Sequence, residues 1–450
     1  MAADVAGSGL PVVVLVGRPN VGKSALFNRV VGARRAIVDD APGVTRDRLV
    51  APASHAGRTF LCVDTGGFLA EPPRDPATLA ARVRAQTLTA IQGADCVVCV
   101  FDGQSGLGPA DRGTIDVLRR SGKPAIFVVQ KIDTPRHEAL VSEFYAAGPD
   151  RLLPVSAAHN RGVAALLDAV VATLPPAGEA TAGAGQGTRL ALVGRPNVGK
   201  SSLLNRLLGA ERTIVAPEPG TTRDAIDSPF SVGGRAYVLI DTAGIRRRGH
   251  IDEGIEKFAL LRTVRAIERA DAAILITDAT EGITAQDSHI AGYALEAYIG
   301  LVLAVNKWDL VARSPETTAA VESEIGREFQ FAPWMDHRLV SAKTGRGVED
   351  TLNAAVAVVD ERKKRIPTAE LHRLLTEAVA AHPPPSDRNG KEVRFHHVTQ
   401  AKGPAPTFVF FVDRPAAVHF SYTRYLENRI RERYDFHGTP IKIELRGARE

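Results

Sequence analysis

Cysteine is scarce in this chain: 450 residues carry only Cys62, Cys96 and Cys99. Three thiols cannot make a disulfide framework for a protein of this size, which favours a reducing compartment. Long apolar runs are absent too. The stretch over 10–16 is far too short to span a bilayer, and the first ten residues, MAADVAGSGL, lack a basic segment followed by an apolar core. The expectation is a soluble, cytoplasmic protein with no membrane partner. Nor does one sign of charge dominate, since 56 basic residues face 51 acidic ones for a net charge of +5. That balance is compatible with nucleic acid without demonstrating it. The length excludes a peptide-sized factor and suggests two to four domains.

What the chain does have is a repeat. GRPNVGKS occurs at 17–24 and again at 194–201. PGVTRD (42–47) matches PGTTRD (219–224), DTGG (64–67) matches DTAG (241–244), QKID (130–133) matches NKWD (306–309), and SAAHNRG (156–162) matches SAKTGRG (341–347). Five ordered correspondences over some 150 residues describe a duplicated domain rather than a solenoid. In each copy short apolar runs such as CVVCVFD and AAILITDA alternate with helical stretches. That pattern predicts an α/β fold with a mostly parallel sheet and helices on both faces. The ligand then belongs in the loops after the strand C-termini, where every repeated motif falls. The expected domains are 1–174 and 189–362, joined by a Gly/Ala-rich flexible linker over 175–188, followed by a small α/β module over 366–450. Residues 361–450 hold 17 basic and 11 acidic groups. Their excess of six exceeds that of the whole chain and points to one docking surface.

GRPNVGKS fits the phosphate-loop pattern G-x-x-x-x-G-K-[ST] between a strand and a helix. Its backbone amides wrap phosphates at a helix N-terminus. Lys23 and Lys200 would reach the β- and γ-phosphates, and Ser24 and Ser201 would ligate magnesium. NKWD names the base: Asp309 can accept from the N1–H and 2-amino group of guanine, Asn306 holds the ring edge, and the Lys307 stem packs on the ring. Asp64 and Asp241 belong to the outer magnesium shell, and Thr45 and Thr222 would close on the metal as switch threonines. Gly67 and Gly244 would sense the γ-phosphate. Lys23, Lys200, Thr45, Thr222, Gly67 and Gly244 are therefore the expected catalytic contributors. The first GTP site is drawn from Gly17, Arg18, Pro19, Asn20, Val21, Gly22, Lys23, Ser24, Asp64, Thr65, Gly66, Gly67, Phe68, Gln130, Lys131, Ile132, Asp133, Ser156 and Ala157. Gly194, Arg195, Pro196, Asn197, Val198, Gly199, Lys200, Ser201, Asp241, Thr242, Ala243, Gly244, Ile245, Asn306, Lys307, Trp308, Asp309, Ser341 and Ala342 compose the second.

With PGTTRD, DTGG, DTAG and a basic α/β tail, the tandem GTPase modules resemble the Der (EngA) family of bacterial ribosome-assembly GTPases from about Leu10 to Leu445. The resemblance implies a GTP hydrolase that switches with its nucleotide during assembly of the large ribosomal subunit. Its partners would be GTP and GDP, the large subunit or its precursor and rRNA, engaged as a monomer. It also implies a KH-like tail, although the nearest match to the GxxG clamp, GPAP at 403–406, has proline where the second glycine belongs. Ile245 and Phe68 stand where many GTPases place a water-orienting glutamine. The family pattern assigns that role instead to backbone, bridging water and a monovalent cation, with Asn20 and Asn197 as potassium ligands.

Two other readings stay open on the residues: a nucleotide-regulated RNA- or ribosome-binding scaffold in which the first site hardly turns over, and a tRNA-modification GTPase. The second is disfavoured because no C-terminal catalytic cysteine is present. With Gln130 in place of asparagine, the first site is expected still to prefer guanine but to bind it more weakly than the second. Cys96 and Cys99, three apart on a strand, would face opposite sides and form core rather than a metal site. Arg246–248 would lie in the second mobile switch.

Overall fold

The computed structural model describes residues 10–32, 50–65, 91, 93–149, 151–175, 187–209, 227–232, 235–240, 256–312, 314–384 and 392–447. The first unit runs β1 (Val12–Val16), α1 (Lys23–Val31), β2 (Val50–His55), β3 (Arg58–Asp64), β4 (Cys96–Asp102), α2 (Pro109–Ser121), β5 (Ala125–Gln130), β6 (Leu152–Pro154) and α3 (Val163–Thr173). Its sheet order is β2-β3-β1-β4-β5-β6, parallel throughout except where β2 pairs antiparallel with β3. Strand β1 shows why the apolar runs are continuous. Val12, Val14 and Val16 enter one core cluster while Val13 and Leu15 enter another, so both faces are covered. Cys96 and Cys99 divide in the same way between those two clusters, and burial pushes the Cys96 thiol up to about 12. They are core residues, as their spacing predicts.

The second unit repeats the plan with β7 (Thr188–Val193), α4 (Lys200–Gly209), β8 (Ser228–Val232), β9 (Arg235–Ile240), α5 (Glu256–Arg269), β10 (Ala272–Asp278), α6 (Ala285–Glu296), β11 (Gly300–Asn306), α7 (Pro315–Glu328), β12 (Asp336–Leu339) and α8 (Val348–Lys363). Its order is β12-β11-β10-β7-β9-β8. The sixth strand of each sheet, β2 or β8, was not legible in the apolar pattern. Each carries a proline, Pro52 or Pro229, which is tolerated because the strand lies at an edge.

The last unit comprises α9 (Thr368–Ala381), β13 (Phe395–Ala401), β14 (Thr407–Val412), α10 (Phe420–Tyr434) and β15 (Lys442–Gly447). Its three-stranded sheet runs β13-β14-β15, antiparallel then parallel. Tyr422, Leu426 and Ile430 of α10 are buried against Leu371, Leu374 and Leu375 of α9, as the three- and four-residue spacing requires.

The tail is tied to the second unit through backbone. The Gly438 amide donates to the Trp334 carbonyl at 2.9 Å, and the Leu301 amide donates to the Gly438 carbonyl at 2.8 Å. A Cβ at Gly438, whose φ is +61°, would stand 2.1 Å from Val358 Cγ2. Only glycine fits there. Arg431 adds its guanidinium over the Trp334 ring at 4.8 Å. Between the two GTPase units α5 makes contact, with Tyr293 of α6 packed beside it. Val264 joins the core cluster of the first unit, and Arg265 donates to the Gly93 carbonyl and pairs with Asp95 at 3.4 Å. Glu268 is half-buried beside Arg265 and the Leu10 amide, and desolvation pushes its carboxyl up to about 8. Among the described residues no helix is long and apolar enough to cross a membrane.

Candidate functional site

Both phosphate loops leave the C-terminal end of a central strand and enter a helix, β1 into α1 and β7 into α4. Inside each curl lies the lysine. Lys23 Nζ donates to the carbonyls of Gly17 at 2.9 Å and Arg18 at 2.8 Å. Lys200 Nζ donates to Gly194 at 2.7 Å and to the Arg195 carbonyl. Burial lowers both lysines, Lys200 to about 8, with Asp287 partly opposing the shift there and Asp64 opposing it at Lys23. An ammonium held at the centre of a loop by backbone carbonyl oxygens is a charge suited to pairing with an anion such as a polyphosphate.

The loops are braced from outside by arginines. Arg195 Nε donates to both oxygens of Asp287, at 3.1 and 3.0 Å, and its Nη1 donates to Glu281 at 2.9 Å. Arg18 uses the matching carboxylate more loosely, lying 3.4 Å from Asp111 and donating to Ser105 Oγ at 2.6 Å and the Gly106 carbonyl at 2.9 Å. Asp111 and Asp287 each sit in the first turn of the helix after the strand, where they also accept from Gly108 and Thr284 amides. No motif marks these acids, although they stand 176 residues apart and so belong to the repeat.

The base loop follows β5 and β11. In the second copy Asn306 spans the site: its Nδ2 donates to the Val198 carbonyl at 2.8 Å, and its Oδ1 accepts from the Ala342 amide at 2.9 Å. Its path past the phosphate loop requires Gly199, because a Cβ there would lie 2.2 Å from Asn306 Nδ2. Gln130 makes only the second of these contacts, accepting from Ala157 at 3.2 Å. Asp133 and Asp309 are each held by a serine hydroxyl, Ser156 at 2.7 Å and Ser341 at 2.6 Å. Lys131 and Lys307 adopt left-handed backbone, φ +68° and +62°. Ile132 and Trp308 are buried, and their amides donate to the carbonyls of Val155 at 3.1 Å and Val340 at 3.0 Å. Apart from the Asn306–Val198 bond, each of these contacts recurs between counterpart residues of the two copies.

For a metal, Ser24 Oγ donates to Asp64 Oδ2. A hydroxyl beside a carboxylate is the hard-oxygen pair that magnesium takes alongside phosphate oxygens. Among the described residues no cluster of three histidine, cysteine or acidic side chains could hold a metal by itself. Asn20 and Asn197 are exposed at the loop tips with matching left-handed φ of +64°. Pro19 is exposed and Pro196 half-buried beside them, while Val21 and Val198 anchor the loops in the core. Thr65 donates to the Leu15 carbonyl at 2.7 Å. Thr45, Gly66, Gly67, Phe68, Thr222, Asp241, Thr242, Ala243, Gly244, Ile245, the linker over 176–186 and Arg246–248 lie outside the described residues.

A phosphate cradle with an inward lysine, facing a base loop whose aspartate is aimed by a serine, defines the class: P-loop GTP-binding proteins, with the site built twice in one chain. The family models agree with this class. A family model described as 50S ribosome-binding GTPase matches residues 12–131 and 189–307. One described as the KH-domain-like C-terminal part of EngA bacterial GTPase enzymes matches 365–446. Among solved structures, Aquifex aeolicus Era bound to GDP and aluminium fluoride is 20% identical, covering 58% of this chain and 93% of that chain at a TM-score of 0.30. The protein named GTPase Der from Thermomicrobium roseum is 50% identical over 97% of this chain and 96% of its own. Its namesake from Syntrophotalea carbinolica is 46% identical over 98% and 100%. The chain belongs to the GTPase Der family, GTP-hydrolysing enzymes with a KH-like C-terminal domain.

Proposed function

We propose that the protein is a nucleotide-dependent switch in assembly of the large ribosomal subunit, acting as a monomer in the cytoplasm. The observation that carries this reading is the attachment of the basic tail to the second GTPase unit through Gly438, which links a nucleotide site and a docking surface by backbone hydrogen bonds. The family's description as 50S ribosome-binding supports the choice of particle. In this reading Lys23 and Lys200 hold the β- and γ-phosphates. Ser24, Thr45 and Asp64 serve magnesium at the first site, and Ser201, Thr222 and Asp241 at the second. Gly67 and Gly244 sense the γ-phosphate, which gives the two nucleotide states the differential contact that a switch requires. Magnesium would neutralise the phosphate oxygens. Potassium on Asn20 and Asn197 would supply the positive charge that an arginine finger supplies elsewhere.

Cosedimentation with ribosomal subunits under GDP, GTP and a non-hydrolysable GTP analogue tests the proposal. Binding to the large subunit or its precursor should be strongest in one nucleotide state and should weaken steeply with salt. No cosedimentation in any state at moderate salt would overturn it. A second reading, in which the first site mainly binds rather than turns over nucleotide, is favoured by one observation: Gln130 lacks the brace to the phosphate loop that Asn306 provides.

A further inference from the structure

Each central strand next to the base loop ends in an aspartate that the motifs do not include. Asp102 closes β4 and Asp278 closes β10, 176 residues apart, the same offset that relates QKID to NKWD. In register they stand beside Gln130 and Asn306 on the neighbouring strand. Both are buried, at 7% and 1% exposure. One carboxylate oxygen is spent on the turn that follows: Asp102 Oδ1 accepts from the Gln104 amide at 2.9 Å, and Asp278 Oδ1 accepts from the Thr280 amide at 2.9 Å and its hydroxyl at 2.7 Å. The other oxygen takes the ammonium of the base-loop lysine. Lys131 Nζ donates to Asp102 Oδ2 at 2.7 Å, and Lys307 Nζ is paired with Asp278 Oδ2. In the first copy the same ammonium also donates to the Asn20 carbonyl at 3.1 Å, so one cation ties the base loop to the tip of the phosphate loop.

A lysine stem can cover a purine ring only if its end is fixed, because four free torsions cost entropy on every binding event. The left-handed backbone at Lys131 and Lys307 turns the side chain back, and the aspartate supplies the fixed end. We propose that Asp102 and Asp278 are positioning residues for nucleotide affinity: each pins its lysine ammonium so that the aliphatic stem is pre-set across the face of the base. This rests on the reading of the two sites as guanine-nucleotide sites. The two copies build the same pair on differing turns, Gln104 in one and Thr280 in the other, so the turn chemistry changes while the lysine anchor stays. A face contact does not read the base edge. The anchor therefore raises affinity for guanine and hypoxanthine nucleotides alike and leaves their discrimination to Asp133 and Asp309.

The test uses the full chain carrying Asp133→Asn, so that guanine binding reports the second site, and compares Asp278→Asn, Lys307→Met and the double variant with fluorescent GDP. Asparagine keeps the oxygen that accepts from Thr280 while removing the charge that holds Lys307. GDP and IDP affinities should both fall by about 5- to 20-fold in Asp278→Asn, the loss of one charge-assisted contact. Their ratio should not change, and the KM for GTP should rise with kcat unaltered. In the Lys307→Met background the same substitution should cost less than twofold, because the aspartate acts through the lysine. Unchanged GDP affinity, a loss confined to one base, or an equal loss in the Lys307→Met background would overturn the proposal. A drop in kcat with KM unaltered would do the same. Absence of any preference for GDP over ADP in the Asp133→Asn parent would instead overturn the guanine reading beneath it. If Asp278→Asn does not fold, Asp102→Asn in an Asp309→Asn chain puts the same question to the first site.

Discussion

Replacing Gln130 with asparagine should tighten guanine-nucleotide binding at the first site. Asn306 fastens the base loop to both neighbours, through Val198 at 2.8 Å and Ala342 at 2.9 Å. Gln130 retains only the longer Ala157 contact at 3.2 Å, and its extra methylene lies 3.0 Å from where a Gly22 Cβ would stand. The first site therefore lacks one buried side-chain hydrogen bond that the second possesses. Such a bond is worth about 0.5–1.5 kcal/mol net, which is roughly a 2- to 12-fold difference in affinity. Each site can be read alone in the full chain, the first in an Asp309→Asn background and the second in an Asp133→Asn background, by titrating a fluorescent GDP. GDP should bind the first site several-fold more weakly than the second. Gln130→Asn should recover about fivefold, and Asn306→Gln should weaken the second site and crowd Gly199. Equal affinities at the two sites, together with a Gln130→Asn chain that binds no more tightly, would refute the reasoning that the amide bridge carries the difference.

Three further outcomes follow from the geometry. Burial holds Lys200 at about 8 in the free site, and polyphosphate needs the ammonium, so binding above that pH must take up a proton. GDP affinity at the second site should be flat below pH 7.5 and fall towards tenfold per unit above 8; a flat profile to pH 9 would contradict the buried cation. Glu268 is raised from 4.5 to about 8 in the packed chain. Its contribution is fully present below 4.5 and is lost as pH rises through 8, because the unfolded chain releases the proton first. Thermal stability should drop by about 2 kcal/mol between pH 6 and 8 from this group, and Glu268→Gln should flatten that slope in calorimetry. Gly438→Ala places a methyl 2.1 Å from Val358 Cγ2 at a left-handed position, which should cost about 2–4 kcal/mol and loosen the tail, read as a lower melting temperature and faster proteolysis between α8 and α9.

Much of this architecture was legible because the central strands are buried on both faces. CVVCVFD and AAILITDA carry no polar alternation to confuse with surface, and the motifs punctuate their ends. The edge strands were not, since VAPASH and SPFSV contain prolines and mixed residues that match loop as well as strand. In the site, the repeated strings named the lysines, the serines and the base aspartates. They could not show which residues hold those groups in place, because those partners are distant in the chain: Asp102 for Lys131, Asp278 for Lys307, Asp287 for Arg195. A single-residue aspartate at a strand end resembles any turn former until its carboxylate is seen against a lysine. Gln130 is legible as a departure from asparagine, but only the geometry shows that it makes the Ala157 contact without a counterpart of the Asn306–Val198 bond.

Turnover of GTP by the intact chain, by Lys23→Ala, by Lys200→Ala and by the double variant is the most direct measurement of the central claim that this is a GTPase with two phosphate sites. Each single substitution should lower the rate, Lys200→Ala by more, and the double variant should be inactive with magnesium and potassium present. A double variant that hydrolyses GTP at the parent rate would place the activity elsewhere in the chain and contradict the account.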